Sequence, residues 1–267
     1  MANILDTIIA DKRGEVRGRQ SQRSLEQLKE QVVSLPKCRN FYKAVTKPSR
    51  QGINVIAEVK KASPSAGIIR KDFDAVAIAQ TYKKCGADAI SVLTDEKYFQ
   101  GRLEYIKQIS EAVDLPILRK DFIIDPWQVY ESRAAGADAI LLIAEALKPG
   151  ELMDMMITAA ELTLTVLLEI HQADTLLSVR SLIGFPKKGY SVIGINNRDL
   201  VTMEVDVNTT SRLAELLDNT NELVAESGIK TRADVEKLKF VGVKAILVGR
   251  VLCASADIEE KFTELFG

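Results

Sequence analysis

The chain has 267 residues, 46% hydrophobic and 27% charged, and its 36 basic and 37 acidic side chains give a formal net charge of −1. That length suits one α/β barrel, and the balanced charge gives no electrostatic reason to expect nucleic acid or an anionic membrane as partner. Three scattered cysteines (Cys38, Cys85 and Cys253) without a Cys-x-x-Cys pair, and a single histidine, His171, argue against a disulfide framework or a metal cluster.

From the N-terminus, Met1 to Arg13 carries Asp6 inside its apolar stretch, the wrong order for a secretory signal. No apolar run approaches the ~20 residues of a membrane span, so a soluble protein of the reducing cytoplasm is expected. The spacing predicts a helix over Ile4–Arg17 and an amphipathic one over Leu25–Val33, ending before Pro36. The basic run Lys12–Arg23, diluted by Glu15, reads as a solvated helix face. Two placements of this segment are open: a cap on the lower face of the domain, or a wall beside its active-site mouth.

Beyond residue 48 the pattern is alternation. Eight short β-branched runs are predicted as strands: Asn54–Lys60, Ala89–Leu93, Pro116–Lys120, Ala139–Ile143, Thr165–Ile170, Val192–Asn196, Glu222–Glu226 and Ala245–Val248. Each is followed by a stretch of helical spacing, and Gly86, Gly136 and Gly242 sit where helices should stop. Gly86-Ala87-Asp88-Ala89-Ile90 recurs as Gly136-Ala137-Asp138-Ala139-Ile140 and, more loosely, as Gly242-Val243-Lys244-Ala245-Ile246, so one supersecondary unit is laid down repeatedly. Strands alternating with helices imply a parallel sheet with right-handed crossovers. The expected fold is α/β, a (β/α)8 TIM barrel forming one domain over residues 1–267, with residues 1–48 as an N-terminal helical extension.

Active sites of such barrels lie at the C-terminal ends of the strands. There the chain places Glu58 and Lys60, two residues apart and so on one face, then Lys120, Glu169, Asn196 with Arg198, Glu226-Ser227-Gly228, and Gly249-Arg250. One strand-end lysine is ordinarily a solvated tip, and one Glu–Lys pair an ordinary salt bridge. Charges pointing into a barrel at six strand ends are costly unless paired or engaged by a ligand. The last two loops are the usual phosphate site of the fold, where glycine admits the anion close to backbone N–H groups. The long Lys61–Asp72 loop, with Ser63-Pro64-Ser65-Ala66-Gly67 and Arg70, reads as a lid.

These residues carry a resemblance. Ile56 to Ser65, Leu93 to Gly101, Lys120 to Ile123, Leu168 to His171, Ile193 to Leu200 and Val224 to Ile229 resemble, in order, the strand-end motifs of the indole-3-glycerol-phosphate synthases. The resemblance runs from about Ile4 to the C-terminus. It implies a carboxy-lyase of tryptophan biosynthesis that closes, decarboxylates and dehydrates 1-(2-carboxyphenylamino)-1-deoxyribulose 5-phosphate to indole-3-glycerol phosphate, without a cofactor. It further implies Lys120 as the leading acid for ring closure, its pKa lowered by neighbouring cations. Glu169, Lys60 and Glu58 are implied for dehydration, with Lys60 alternatively holding the substrate carboxylate, and Asn196 orients catalytic side chains. Phe99, Phe122 and Leu141 would form the slot for the anthranilate ring, although packing alone also accounts for them. Ser63, Arg198, Glu226 and Ser227 would contact the substrate, and Ser227, Gly228, Gly249 and Arg250 its phosphate.

Three features depart from the family pattern. The Gly184–Tyr190 segment is long and basic and is expected at the bottom face. Arg250 stands where the family often has a small polar residue, and a side chain there is expected to turn outward toward a neighbouring helix. His171 lies two residues past Glu169 and receives no role from the resemblance. Among rival readings, phosphoribosylanthranilate isomerase needs a Cys–Asp pair, and no cysteine ends a strand here; the tryptophan synthase α subunit needs two carboxylates without Lys60 and Lys120. A non-catalytic phosphate-ligand binder on the same scaffold is the other class, separable by a turnover assay. The only partner expected is the phosphorylated small molecule, bound by a monomer or weak homo-oligomer.

Overall fold

The computed structural model describes residues 4–49, 51–199 and 202–267; Leu200, which ends one of the motifs above, lies outside the described residues. Strands β1 (Asn54–Val59), β2 (Ala89–Leu93), β3 (Ile117–Lys120), β4 (Ala139–Ile143), β5 (Thr165–Ile170), β6 (Ser191–Asn196), β7 (Leu223–Glu226) and β8 (Ala245–Val248) close into a parallel barrel. The closing pair is β8 on β1, with Asn54 opposite Ala245 and Ala57 opposite Val248. Lys60 stands one residue beyond β1 rather than inside it. Helix α1 (Ile4–Gln22), α2 (Leu25–Val33) and α3 (Phe41–Thr46) precede the barrel. Helices α4 (Ala75–Cys85), α5 (Glu96–Phe99), α6 (Glu104–Ala112), α7 (Pro126–Ala134), α8 (Pro149–Glu161), α9 (Ala173–Val179), α10 (Asn208–Ala214), α11 (Arg232–Val241), α12 (Arg250–Cys253) and α13 (Ile258–Phe266) follow and alternate with the strands.

The recurring Gly-Ala-Asp turn has a physical purpose. Gly86 and Gly136 take the left-handed conformation (φ 94° and 95°) that stops a helix at little steric cost. The aspartate then caps the start of the preceding strand: Asp88 accepts from the Val55 N–H and Asp138 from the Ile117 N–H. Lys244 breaks the pattern in the third copy, and there its backbone carbonyl accepts from the Asn54 backbone N–H instead. Helix starts are fixed as locally, with Asp74, Asp95, Asp125, Thr231 and Asp257 each accepting from a first-turn N–H.

Side chains alternate across each strand, so odd and even strands stack their inward residues in separate layers. Ile56, Leu118, Leu167 and Val224, from β1, β3, β5 and β7, pack as one apolar layer inside the barrel. Two residues further along the same four strands stand Glu58, Lys120, Glu169 and Glu226. The residues between them, such as Val55, Ala57 and Val59, join the larger core between barrel and helices. The floor of the mouth is therefore a layer of charge laid directly on a layer of aliphatic side chains.

Both placements of the N-terminal segment are realised by different helices. On α1, Ile4, Leu5 and Ile8 wall the mouth, and Lys12 is buried in ion pairs with Asp95 and Asp121 at 2.8 and 3.0 Å. The expectation of a solvated face over Lys12–Arg23 is corrected at Lys12, which has a side-chain exposure of 1%. Helix α2 descends along α7, with Leu28 and Val16 packed on Trp127 and the indole N–H donating to the Arg23 carbonyl. Helix α3, not foreseen, closes the opposite end, where Phe41 and Val45 join the inner core and Asn54 donates to the Val45 carbonyl. The Gly184–Tyr190 segment lies at that lower end, Gly189 beside Tyr42 of α3. The loop after β1 folds into a short antiparallel hairpin, Ala62–Ser63 against Gly67–Ile68.

Candidate active site

One cavity of about 750 Å³ opens at the C-terminal ends of the strands. Glu58, Lys60, Ser63, Phe99, Lys120, Phe122, Leu141, Glu169, Asn196, Arg198, Glu226, Ser227, Gly228, Gly249 and Arg250 all line it. His171 does not; it lies behind Glu169.

Two lysine–carboxylate pairs occupy the floor. Lys60 donates to Glu58 at 2.6 Å, and its ammonium lies 5.4 Å from the centroid of the Phe99 ring. Lys120 donates to Glu169 at 2.9 Å and lies 3.5 Å from Glu226. Asn196 donates to the other oxygen of Glu169 at 3.0 Å, and its own carbonyl oxygen accepts from the Arg198 N–H.

The charge layer sets the protonation states. Burial works against the Lys120 ammonium, but the carboxylates of Glu169, Glu226 and Glu58 outweigh it and hold its pKa well above the ordinary lysine value. This corrects the expectation of a lowered pKa: the groups around Lys120 are anions, not cations. Burial likewise disfavours the Glu169 carboxylate, yet Lys120 and His171 hold its pKa well below the usual range. Glu226 is pushed up, by burial first and then by the charge of Glu169. Two like-charged groups in one buried layer disfavour each other's ionisation, and Glu226 is the member whose pKa rises.

Two glycines make room for this layer. A Cβ at Gly194 would lie 2.2 Å from a Glu226 oxygen, and one at Gly249 would lie 2.4 Å from a Glu58 oxygen. Gly249 thus serves the carboxylate beneath it as well as the loop above.

Away from this floor the lining is net cationic, with Arg198, Lys230, Arg250 and Lys261 against Glu260 and Glu264, and it includes Ser227-Gly228. Burial lowers the Arg198 pKa and the nearby Arg250 charge adds to this, so an anion there would relieve a repulsion. Ser227 and Gly228 both have positive φ, 65° and 81°. Asn197 fixes this turn, donating to the Ser227 carbonyl and accepting from the backbone N–H and hydroxyl of Thr210. The Arg250 guanidinium does not turn outward, as the sequence suggested. It donates to the Ser65 hydroxyl at 2.6 Å and reaches Ser63 at 3.4 Å, joining the last loop to the hairpin. Leu141, almost fully buried, lines the same cavity, and the Phe99 and Phe122 rings in its wall stand 6.2 Å apart.

Sequence reasoning missed a buried ionic network beneath this mouth. Arg119, fully buried, donates to Asp121 at 3.0 Å, to Glu131 at 2.8 Å and to the Thr94 hydroxyl at 3.1 Å. Lys12 enters the same network through Asp121. A charged residue at a helix-facing strand position, as Arg119 is, was the available signal.

Comparison with known proteins fits this geometry. The family model described as indole-3-glycerol phosphate synthase matches residues 5–265. The chain is 46% identical over 255 residues to the indole-3-glycerol phosphate synthase of Rhodopirellula baltica, covering 96% of this chain and 95% of that one. It is 50% identical over 232 residues to the enzyme of the same name from Geobacillus thermodenitrificans, covering 87% and 88%. Among solved structures, a 3-hexulose-6-phosphate synthase superposes with a TM-score of 0.62 at 14% identity over 80% of this chain and 98% of that one. A thiamine phosphate pyrophosphorylase from Pyrococcus furiosus gives 0.56 at 16% identity over 81% and 95%. The structural likenesses speak to the barrel alone. The family match spans nearly the whole chain, and the chain belongs to the indole-3-glycerol phosphate synthase family, decarboxylating lyases of tryptophan biosynthesis that act on a phosphorylated small molecule.

Proposed function

We propose that the two lysine–carboxylate pairs divide the acid–base work of this synthase, Lys120 with Glu169 serving at the reacting carbon and Lys60 with Glu58 at the substrate carboxylate and the departing hydroxyl. The observation that carries this reading is the facing arrangement of the pairs on one charged floor, with Asn196 bonded to Glu169.

In ring closure, the aryl carbon bearing the carboxylate attacks the ketone carbon and the ketone oxygen gains negative charge. Lys120, held fully charged by the carboxylates around it, stabilises that charge and passes a proton to it. The raised pKa does not forbid this transfer, because the developing alkoxide is more basic than the amine left behind. Loss of carbon dioxide then restores the aromatic ring. Dehydration removes a proton from the adjacent carbon and expels the new hydroxyl as water. Glu169 is ionised and suits the base; Lys60, paired with Glu58 at 2.6 Å, suits the acid. Glu226, whose pKa is raised within the same layer, suits a neutral carboxyl rather than a further charge.

The ring would lie between Phe99, Phe122 and Leu141. The phosphate would lie against the cationic lining, held chiefly by the Ser227-Gly228 and Gly249-Arg250 backbones and steered by Arg198 and Arg250. The helix dipole contributes at the second loop only, because Gly249 leads straight into α12 whereas Ile229–Thr231 separates Gly228 from α11. Ser63 carries the hairpin's contact to the substrate.

The cavity draws its lining from Ile4 to Glu264, which supports residues 1–267 acting as one domain; the reading extends to a monomer or weak homo-oligomer of the cytoplasm, and the balanced charge supports no nucleic acid as partner. Among the described residues no helix is long and apolar enough to cross a membrane. Turnover of the carboxyphenylamino substrate by the purified chain, compared across Lys120→Ala and Lys60→Ala, tests the assignment. Loss of ring closure in the first and of dehydration in the second supports it; the reverse pattern exchanges the two lysines.

A further inference from the structure

Glu169 is held on three sides, and only two of its partners come from the floor of the cavity. The third is His171, two residues beyond it and therefore on the same side of the chain as it leaves β5. The His171 Nε2 lies 3.1 Å from Glu169 Oε1, the oxygen that also accepts from Asn196. The ring is itself fixed from behind. Its Nδ1 lies 3.0 Å from Glu145, and its backbone N–H donates to the other oxygen of the same carboxylate at 2.9 Å. Glu145 sits in a single turn of 3-10 helix, Ala144–Ala146, directly after β4. It is only partly buried, whereas the His171 side chain is 4% exposed.

We propose that His171, clamped by Glu145, is a positioning residue that keeps Glu169 ionised and correctly oriented as the base of the dehydration step.

The physical argument starts from what the substrate brings. It carries a carboxylate and a phosphate, and it displaces water from the mouth. Both effects raise the cost of an ionised Glu169, which must nevertheless be unprotonated to accept a proton. Lys120 cannot be the sole counter-charge, because it is drawn toward the ketone oxygen during ring closure. A second cation on the far oxygen, outside the cavity and untouched by substrate, keeps Glu169 ionised throughout. The groups facing the imidazole are Glu145 after β4 and Glu169 on β5, with Lys120 of β3 beyond Glu169. Two flanking carboxylates favour an imidazolium, and although burial opposes the charge, His171 is raised to about 10. Its Nε2 is not aligned for a good hydrogen bond with Glu169, so the contact acts mainly through charge.

This inference rests on the reading of Glu169 as the base. It is tested by the pH dependence of kcat in His171→Gln and Glu145→Gln, with Glu169→Gln alongside. Without the imidazolium, Glu169 is easier to protonate, so the acid limb of the profile should move up by about one pH unit. The loss of kcat would then be roughly tenfold greater at the acid end than at pH 8, with KM little changed. Glu145→Gln should shift the limb in the same direction by less, because it lowers the charge on His171 without removing the ring. A uniform loss of kcat at every pH in both variants, with the limb unmoved, would mean a merely structural role and overturn the proposal. Retained turnover in Glu169→Gln would instead overturn the reading of the base. Should His171→Gln fail to fold, Glu145→Gln alone decides, since its target is outside the cavity and partly solvated.

Discussion

Lys120 and Glu169 stand on alternate strands of the barrel, β3 and β5, yet their side chains meet at 2.9 Å inside it. The contact spans one intervening strand and is a product of barrel closure, not of sequence proximity. It also means that each group controls the other's charge, so a substitution at either one alters both.

Lys120→Ala should lower kcat by ~10²–10⁴-fold, while KM changes far less, because a general acid acts chiefly in the transition state. Steady-state kinetics of the variant measure this directly. Near-full turnover with a raised KM would make Lys120 a binding residue and move the acid role to Lys60.

In Glu169→Gln the shape is kept and the base removed. Ring closure and loss of carbon dioxide should proceed, so a ring-closed, undehydrated species should accumulate in a single turnover followed by rapid quench and mass detection. Unchanged single-turnover kinetics would exclude Glu169 from an essential proton transfer.

For the phosphate, Gly228→Ala and Arg250→Ala make the informative pair. A Cβ at Gly228 would meet Val205 and Val207 at 2.7 and 2.8 Å, and the position has a φ of 81°, so even alanine displaces the loop. Inorganic phosphate or product affinity should fall severely in Gly228→Ala and modestly in Arg250→Ala. The opposite ranking would show that the guanidinium carries the site.

Lys12→Met removes one cation from a buried network and leaves Asp95 and Asp121 undercompensated, although Asp121 keeps Arg119. Breaking a buried pair in this way costs on the order of 3 kcal/mol, which for a chain of this size lowers Tm by roughly 6–10 °C. Calorimetry at neutral pH checks it; a shift under about 2 °C would show that water or rearrangement supplies the missing charge.

Stability should also fall on the alkaline side. Burial opposes the His171 charge, but Glu145 and Glu169 raise its pKa to about 10 in the folded protein, against about 6.5 when unfolded. A raised pKa contributes stability that is complete below the unfolded value and is lost as pH rises through the folded one. Denaturant titrations between roughly pH 6.5 and 10 should therefore show declining stability that His171→Gln lacks. Parallel curves for both proteins would refute the assignment of charge.

The strands, the helix stops and the strand-end residues were legible because each is local: a β-branched run, a left-handed glycine, an alternation of two. The charged layer was half legible. Glu58, Lys120, Glu169 and Glu226 could each be assigned to the mouth, but their neighbours follow from closure, which stacks β1, β3, β5 and β7 together. For that reason Lys120 was assigned cationic neighbours and found among carboxylates. Lys12 was misread for a related cause. It sits in a basic run that looks solvated, and its partners Asp95 and Asp121 arrive from two distant loops. Helix α3 and the hairpin after β1 were missed because six residues, or two strands of two residues each, carry too little periodicity to register.

The passage of the N-terminal segment from the mouth to the lower end has a consequence for how the molecule is made. Lys12 leaves the ribosome ahead of the barrel strands, Asp121 is synthesised more than a hundred positions later, and the Lys12 face of α1 has no ion-pair partners until β2 and β3 are in place. Helix α3 at the lower end is under the same constraint, since the inner core it covers includes residues as late as Leu247. A segment made before the barrel is therefore among the last to dock on it, and contacts of such long sequence separation form slowly. Until that docking occurs, the nascent barrel has neither the α1 wall of its mouth nor the α3 plug at its lower end.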